Sequence, residues 1–448
     1  MNDPHPARTG PDKYQREHPG VPRWLASTMQ TAQTVAYGVV PVFLIGALSW
    51  LVVTEMRRDN LEVAPIAVPA RLADAGLSPE VVANRLVDHI FSVEAAARAE
   101  SVDRPNVELT GEMPDFSVPI AGLSLRSLAT LLRTVLGSPP RRVSGEIVME
   151  GEKIKLRLRL AGHRQVADIG GFGPDQVDEL LTAAAPEIWR VISPRQYAWH
   201  VAHSERDEGR ARDRLGRLLV NDPDPQTAQT LRMLIGRSWV RSSRPAEGLE
   251  VLDPLVKTSP DYVLGWYWRG RALRALQRDD EALASLREAQ RRDPKALFVS
   301  IGVSEVLRDR GDLQAAMAEV KKALSQDDDD PGAMTEQAQI LLQMGKLDET
   351  LVSAKIALLG DPNSPTAHRI IGRVHMAQGK FLEALEAFDE AMRHAPMAID
   401  THVRRAEALI KLGRRQEAAM ELEEIADLGA LPKRLEPAVK KLRDELGG

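Results

Sequence analysis

The residues in this sequence that could do chemistry are few and scattered. His200 and His203 share one helical face, as paired metal ligands would, but no HExxH surrounds them and Glu205 is poorly placed to complete a zinc set. Gly170-Gly171-Phe172-Gly173-Pro174 is glycine-rich. It lacks both the Lys-Ser/Thr ending of a phosphate loop and the spacing of a dinucleotide loop, so it is expected to be a turn between a strand and a helix. Asp327–Asp330 is an acidic run without the Asp-x-Asp-x-Asp-Gly spacing of a calcium loop, and is expected to be a solvated turn. No GxSxG is present, and no serine can be assigned a base. The absence of Cys removes disulfides, thiolate catalysis and cysteine-ligated zinc. With 59 basic and 64 acidic residues the charge is nearly balanced, so no basic field draws the chain to nucleic acid. No catalytic, cofactor-binding or metal-ligating residue is predicted. What the sequence offers is a surface for binding.

The elements that would carry such a surface lie in Gln229–Pro432, six consecutive 34-residue units without insertions. The eighth position of each unit reads Gly236, Gly270, Ser304, Ala338, Gly372 and Ala406. The twentieth reads Gly248, Ala282, Ala316, Thr350, Ala384 and Ala418, and the twenty-seventh Leu255, Ala289, Ala323, Ala357, Ala391 and Ile425. Pro260, Pro294, Pro362 and Pro396 close four of the units, and Gly311, Gly345, Gly379 and Gly413 split the last four at the fifteenth position. Each unit is therefore two apolar runs of helical period with a short break between them. Small residues at the eighth and twentieth positions let the two backbones approach, and the small twenty-seventh position admits the next unit. Proline ends the second helix because it lacks an N–H and clashes with the preceding turn. One pair of helices cannot bury such a face alone, so neighbours must stack.

A period of this length with these small residues and a closing proline resembles the tetratricopeptide repeat. The resemblance implies a fold that is mainly α, a solenoid of helix-turn-helix units binding proteins or peptides. In similar arrays the first helices line a concave face, to which positions two, five, nine and twelve contribute. Carried onto this sequence, those positions give Met233, Arg237 and Val240 in the first unit and Leu264, Tyr267, Arg271 and Arg274 in the second. Phe298, Ile301, Glu305 and Arg308 follow in the third, and Arg369 and Arg373 in the fifth. The family's carboxylate clamp has an Asn at position nine, where this chain has Arg237, Arg271, Glu305, Gln339, Arg373 and Glu407, so that particular role is not expected. Apolar and aromatic anchors beside Arg237, Arg271, Arg274 and Arg308 favour an acidic peptide or helix, since guanidinium groups pair carboxylates in bidentate fashion. Reversing the charge of Arg271 and Arg274 together is then expected to abolish capture of the partner. The alternative is that these arginines form a solvated face paired with neighbouring acids.

Residues 1–34 are rich in Pro, Gly and charge and are expected to be a disordered tail. Trp24–Thr54 contains no charged residue, and residues 35–54 are apolar enough to cross a hydrocarbon core of roughly 30 Å as one transmembrane helix. A cleaved signal peptide processed near Ala47-Leu48-Ser49 is the rival, disfavoured by the long leader. Flanking arginines are too evenly divided to set the orientation. A single anchor after a short tail most often sends the large part across, which makes this a single-pass protein of a bacterial inner membrane with a periplasmic body.

Residues 55–69 read as a linker and 70–194 as a small α+β domain. Ser78 caps a helix running to about Ala99, with Val82, Leu86, Ile90 and Val93 on one stripe; a second helix covers about Ser124–Leu136. Val143–Glu150 and Lys153–Leu160 flank Gly151 with period-two alternation, a hairpin with one wet face. A strand over Gln165–Ile169 and a helix from Pro174 to Ile192 complete the domain. Residues 195–228 form a degenerate capping repeat, with Arg214 where a small residue belongs, and 433–448 a polar-faced capping helix. The leading functional expectation is a membrane-anchored scaffold in envelope assembly, secretion or signalling. In the alternative, the 70–194 domain binds a small molecule and the repeats relay the signal.

Overall fold

The structure, a computed structural model, describes residues 61–100, 141–161, 165–221, 223–428, 431–432 and 434–447. The expected tail, the 35–54 membrane span and the Ser124–Leu136 helix lie outside the described residues. None of the described helices is long and apolar enough to cross a membrane. Two compact units divide the chain, one ending at Ile188 and the other beginning at Trp189.

The first unit is built on a four-stranded sheet in sequence order, β1 (Leu61–Val63), β2 (Arg141–Glu150), β3 (Lys153–Leu160) and β4 (Ala167–Phe172). The strand β1 pairs parallel to β2, and the other pairs are antiparallel. This corrects the expected linker. Residues 61–69 belong to the domain, because Ala64 donates to the Val143 carbonyl, Ala67 bridges Glu146, and Ile66 is fully buried. Glu62 and Val68-Pro69 mask that strand in the sequence. After a short helix α1 (Ala70–Asp74), α2 (Pro79–Glu100) starts as expected, with the Ser78 hydroxyl accepting from the Val81 amide. Its Val82, Leu86, Ile90 and Val93 stripe is buried. In β3 the alternation is realised in full: Ile154, Leu156, Leu158 and Leu160 are buried, while Lys155 and Arg157 pair with Glu150 and Asp168 on the wet face. The helix α3 (Val177–Ile192) follows, and Arg85 of α2 meets Asp178 at its start.

The second unit is helical throughout its described residues. The degenerate repeat is α4 (Pro194–Ser204) and α5 (Glu208–Val220). The six units give six helix pairs: α6 (Pro225–Arg241) with α7 (Pro245–Thr258), α8 (Val263–Ala275) with α9 (Asp279–Arg292), α10 (Leu297–Asp309) with α11 (Leu313–Leu324), α12 (Pro331–Gln343) with α13 (Leu347–Gly360), α14 (Pro365–Ala377) with α15 (Phe381–His394), and α16 (Ile399–Lys411) with α17 (Arg415–Asp427). A last helix, α18 (Glu436–Gly447), sets Val439 and Leu442 against Val403, Ala406, Leu422 and Ile425, closing an apolar face the last unit would otherwise expose.

The pattern of small residues has a direct cause. A Cβ added at Gly236 or Gly270 would stand 2.6 Å from Leu252 or Leu286, and one at Gly372 would stand 2.5 Å from the Phe388 ring. The eighth position is small because the twenty-fourth residue of the same unit packs onto it. At the fifteenth position the chain turns through left-handed backbone in all six units. The last four use glycine with φ of 75–86°, whereas Ser243 and Gln277 take φ of 58° and 60° without that freedom.

Candidate protein-binding surface

Successive first helices (α6, α8, α10, α12, α14, α16) pack against one another, whereas the second helices meet mainly the first helices on either side. The first helices therefore share one continuous face, and the side chains it presents decide what the array can hold.

In the second and third units that face is aromatic and tightly ion-paired. Tyr267 and Phe298 meet edge to face with centroids 4.8 Å apart, and Trp268 packs edge-on to Tyr267. Arg271 donates to the Tyr267 hydroxyl at 2.9 Å and lies 3.4 Å from Glu305. Arg274 takes the same carboxylate at 2.5 Å and donates to Asp309 at 2.7 Å. Burial draws the Arg271 and Arg274 pKa values down, but the facing carboxylates more than offset it and both stay above the ordinary value.

One unit further on, Arg308 donates through Nε to Glu336 Oε1 at 2.8 Å, and both residues are buried. Ser304 donates to the same oxygen, while Glu336 Oε2 has no partner among the described residues. Burial pushes the Glu336 carboxyl up to about 7, opposed by Arg308 and reinforced by Glu305. In the fifth unit Arg369 pairs with Asp400, which also lies 3.5 Å from Arg434.

The twelve residues singled out by the sequence thus fall into groups. Met233 and Leu264 are buried, as is Arg237, which sits near the Trp199 and Trp268 rings. Arg271, Arg274, Arg308 and Arg369 direct their charge to carboxylates of the next first helix. Val240, Tyr267, Phe298 and Ile301 remain half-buried on the shared face. Arg373 is half-buried and makes no ion pair or hydrogen bond among the described residues.

Sequence reasoning missed Glu336, Asp400, Arg404 and Arg434. A signal for the pairs was available: Arg274 with Glu305 and Arg369 with Asp400 are both separated by 31 residues, so arginines and acids of opposite sign recur just under one repeat apart. Elsewhere, His402 Nδ1 lies 2.6 Å from Glu421 Oε1, with Glu424 nearby. His402 Nε2 also donates to the Pro396 carbonyl at 2.7 Å, and the facing Glu421 carboxylate favours the protonated ring. His203 engages the Trp199 carbonyl through Nδ1, and Asp327, Asp328 and Asp329 are exposed.

A sequence profile of the tetratricopeptide repeat matches residues 233–296, 335–398 and 371–433. No curated protein matches the chain. Among solved structures, a thermophilic TPR protein of Thermus thermophilus is 22% identical, covered over its whole length by 41% of this chain, with a TM-score of 0.38. A tetratricopeptide repeat protein of Parabacteroides merdae is 14% identical over 55% of this chain and 94% of its own, with a TM-score of 0.45. PilW, described as a widely conserved type IV pilus biogenesis factor, is 18% identical over 47% of this chain and 98% of its own, with a TM-score of 0.39. The profile thus covers residues 233–296 and 335–433, and residues 297–324 between them form a helix pair of the same kind.

Proposed function

We propose that this chain, a mainly helical protein carrying a tetratricopeptide repeat array, is a membrane-anchored scaffold that recruits a partner protein along the shared face of its first helices. The observation behind this reading is that face itself. Rings at Tyr267 and Phe298 and an aliphatic side chain at Ile301 remain within reach of solvent on elements whose other sides are consumed by packing. Aromatic and aliphatic anchors held rigid by a solenoid are the kind of groups that carry most of an interface's energy. No catalytic step is part of the proposal, and no cofactor is required by it. The bilayer contact rests on the uncharged 35–54 stretch, and the body is assigned to the periplasmic side of an inner membrane, where envelope assembly or secretion would use it.

Site-specific photo-cross-linking tests the proposal. A benzoylphenylalanine placed at Ile301 is expected to cross-link one discrete partner in membranes, and the same group at the exposed Val352 of α13 is expected to give none. Equal cross-linking from both positions would refute binding by the first-helix face. A C-terminal reporter active only in the periplasm tests the orientation, and its silence would reverse it.

A further inference from the structure

Two of the ion pairs between successive first helices share one sequence spacing. Thirty-one residues after Arg274 stands Glu305, and the same distance after Arg369 stands Asp400; both are ion pairs between successive first helices. The same distance after Arg373 stands Arg404. Where Arg274 and Arg369 have a carboxylate at this spacing, Arg373 has a second guanidinium. Among the described residues Arg373 has no ion pair or hydrogen bond, and Arg404 has only Glu407 of its own helix, with its Nε buried and without a partner. Asp400, the nearest acid of the next helix, is already held by Arg369 and Arg434.

We infer that Arg373 and Arg404 form a recognition site for the carboxylates of an acidic polypeptide segment, the partner chemistry of the scaffold proposed above. The inference rests on that reading and deepens it. Arg373 and Arg404 are both half-buried, and burial together with the like charge of Arg404, and then of Arg369 and Arg308, depresses the Arg373 pKa against the pull of Asp400. A group held in that state in the free protein is relieved by an incoming anion. A planar guanidinium with free N–H donors takes a carboxylate in bidentate fashion. A polypeptide fits better than a nucleic acid. A groove of about 380 Å³ on the fifth and sixth units is lined by Arg369, Asp400 and Arg434 together with aliphatic Met397, Ile399 and Leu435, and neither Arg373 nor Arg404 lines it. It presents no aromatic platform on which bases would stack, and the chain as a whole carries a net charge of −5.

The probe is a fluorescein-labelled peptide of Glu-Glu-Leu triplets, titrated by anisotropy against the full-length protein in detergent, with a Gln-Gln-Leu peptide beside it. Binding is expected for the acidic peptide only, weakened by salt. Arg373→Gln is expected to lower affinity about tenfold, ~1.4 kcal/mol, and Arg404→Gln comparably. Arg291→Gln, at an exposed residue of the second helix α9, is expected to leave it unchanged. Thermal unfolding separates a structural role: because Arg373 repels its neighbour, Arg373→Gln is expected to hold or raise the Tm. Binding of the Gln peptide, equal affinity in all three variants, displacement by a single-stranded oligonucleotide but not by excess unlabelled acidic peptide, or a lowered Tm in Arg373→Gln would each overturn the inference. If partner cross-links from Ile301 persist while the acidic peptide fails to bind, acid recognition alone falls. If those cross-links are missing in the wild type, the scaffold reading falls first.

Discussion

Arg308 Nε stands 2.8 Å from Glu336 Oε1, joining the third and fourth units by an ion pair in which the carboxylate residue is only 2% exposed. Removing one partner of such a pair strands a buried charge and costs several kcal/mol, more than the pair itself contributes. Glu336→Leu is expected to lose about 3–5 kcal/mol, and Arg308→Met combined with Glu336→Leu to recover most of it, measured by urea unfolding. The pH dependence has a definite sign. Glu336 binds its proton more tightly folded than unfolded, its pKa being pushed from 4.5 to about 7. Its contribution is therefore fully present below 4.5 and is lost as pH rises toward about 7. Glu336→Gln should flatten that limb of the stability curve. Wild type gaining stability over Glu336→Gln across this window would show that the carboxylate is ionised throughout.

Ser243 and Gln277 occupy left-handed turns that the later units give to glycine. A side chain there costs roughly 1–2 kcal/mol in the worst case, partly offset by the entropy a glycine adds to the unfolded chain. Ser243→Gly and Gln277→Gly are each expected to stabilise by about 0.5–1 kcal/mol, additively because separate units carry them. Chemical denaturation of both singles and the double checks this. A loss in either single would mean that the side chain contributes more than its backbone costs.

How much of this could be read in advance follows from what sets each feature. The helix pairs were legible because Gly236, Gly270 and Gly372 each answer a bulky residue sixteen positions later at Leu252, Leu286 and Phe388, so three of the units repeat the same internal contact. The strand at Leu61–Val63 was not, since its partner Arg141–Val143 lies far along the chain and three residues carry no period. The partners of the groove arginines were not legible for a different reason. Family positions say which residues face inward but not what faces them, and Arg271 and Arg274 point at Glu305 and Asp309 of the next helix. Reversing both charges would set carboxylate against carboxylate inside the stack. A loss of partner capture in that variant would report a damaged array rather than a lost contact, and its Tm should fall by several degrees.

Gly372 tests the closeness of the helix pair directly. The nearest ring carbon of Phe388 would lie 2.5 Å from an added Cβ, and Phe388 is fully buried with no room to retreat. Gly372→Ala is expected to destabilise by about 1–3 kcal/mol through overpacking, even though alanine favours a helix over glycine by roughly 1 kcal/mol. Phe388→Leu frees space at the ring edge, so the double variant should lie above the sum of the two singles. Strict additivity in that cycle would place the strain elsewhere.

His402 gives the last unit a proton-dependent clamp. The ring is 1% exposed, its Nε2 donates to the Pro396 carbonyl, and its Nδ1 faces Glu421, which Arg405 also holds. The carboxylate of Glu421 raises the His402 pKa, burial opposes the rise, and the Pro396 carbonyl and Glu424 add to it. A histidine raised in the folded state contributes stability that is complete below its ordinary 6.5 and disappears as pH climbs through the folded value. The fully buried imidazole then presents an acceptor nitrogen to a carboxylate, with nothing to replace the lost proton. Wild type is therefore expected to lose stability relative to His402→Gln as pH rises above about 6.5, with the loss confined to α16, α17 and the capping helix α18. Hydrogen exchange at those helices across the pH range reads it out. Uniform protection from about pH 6 to about pH 9 would leave the imidazolium without a role. Because Arg404 lies two residues further along α16, loosening that helix also moves one wall of the acid site, so peptide affinity should fall over the same interval.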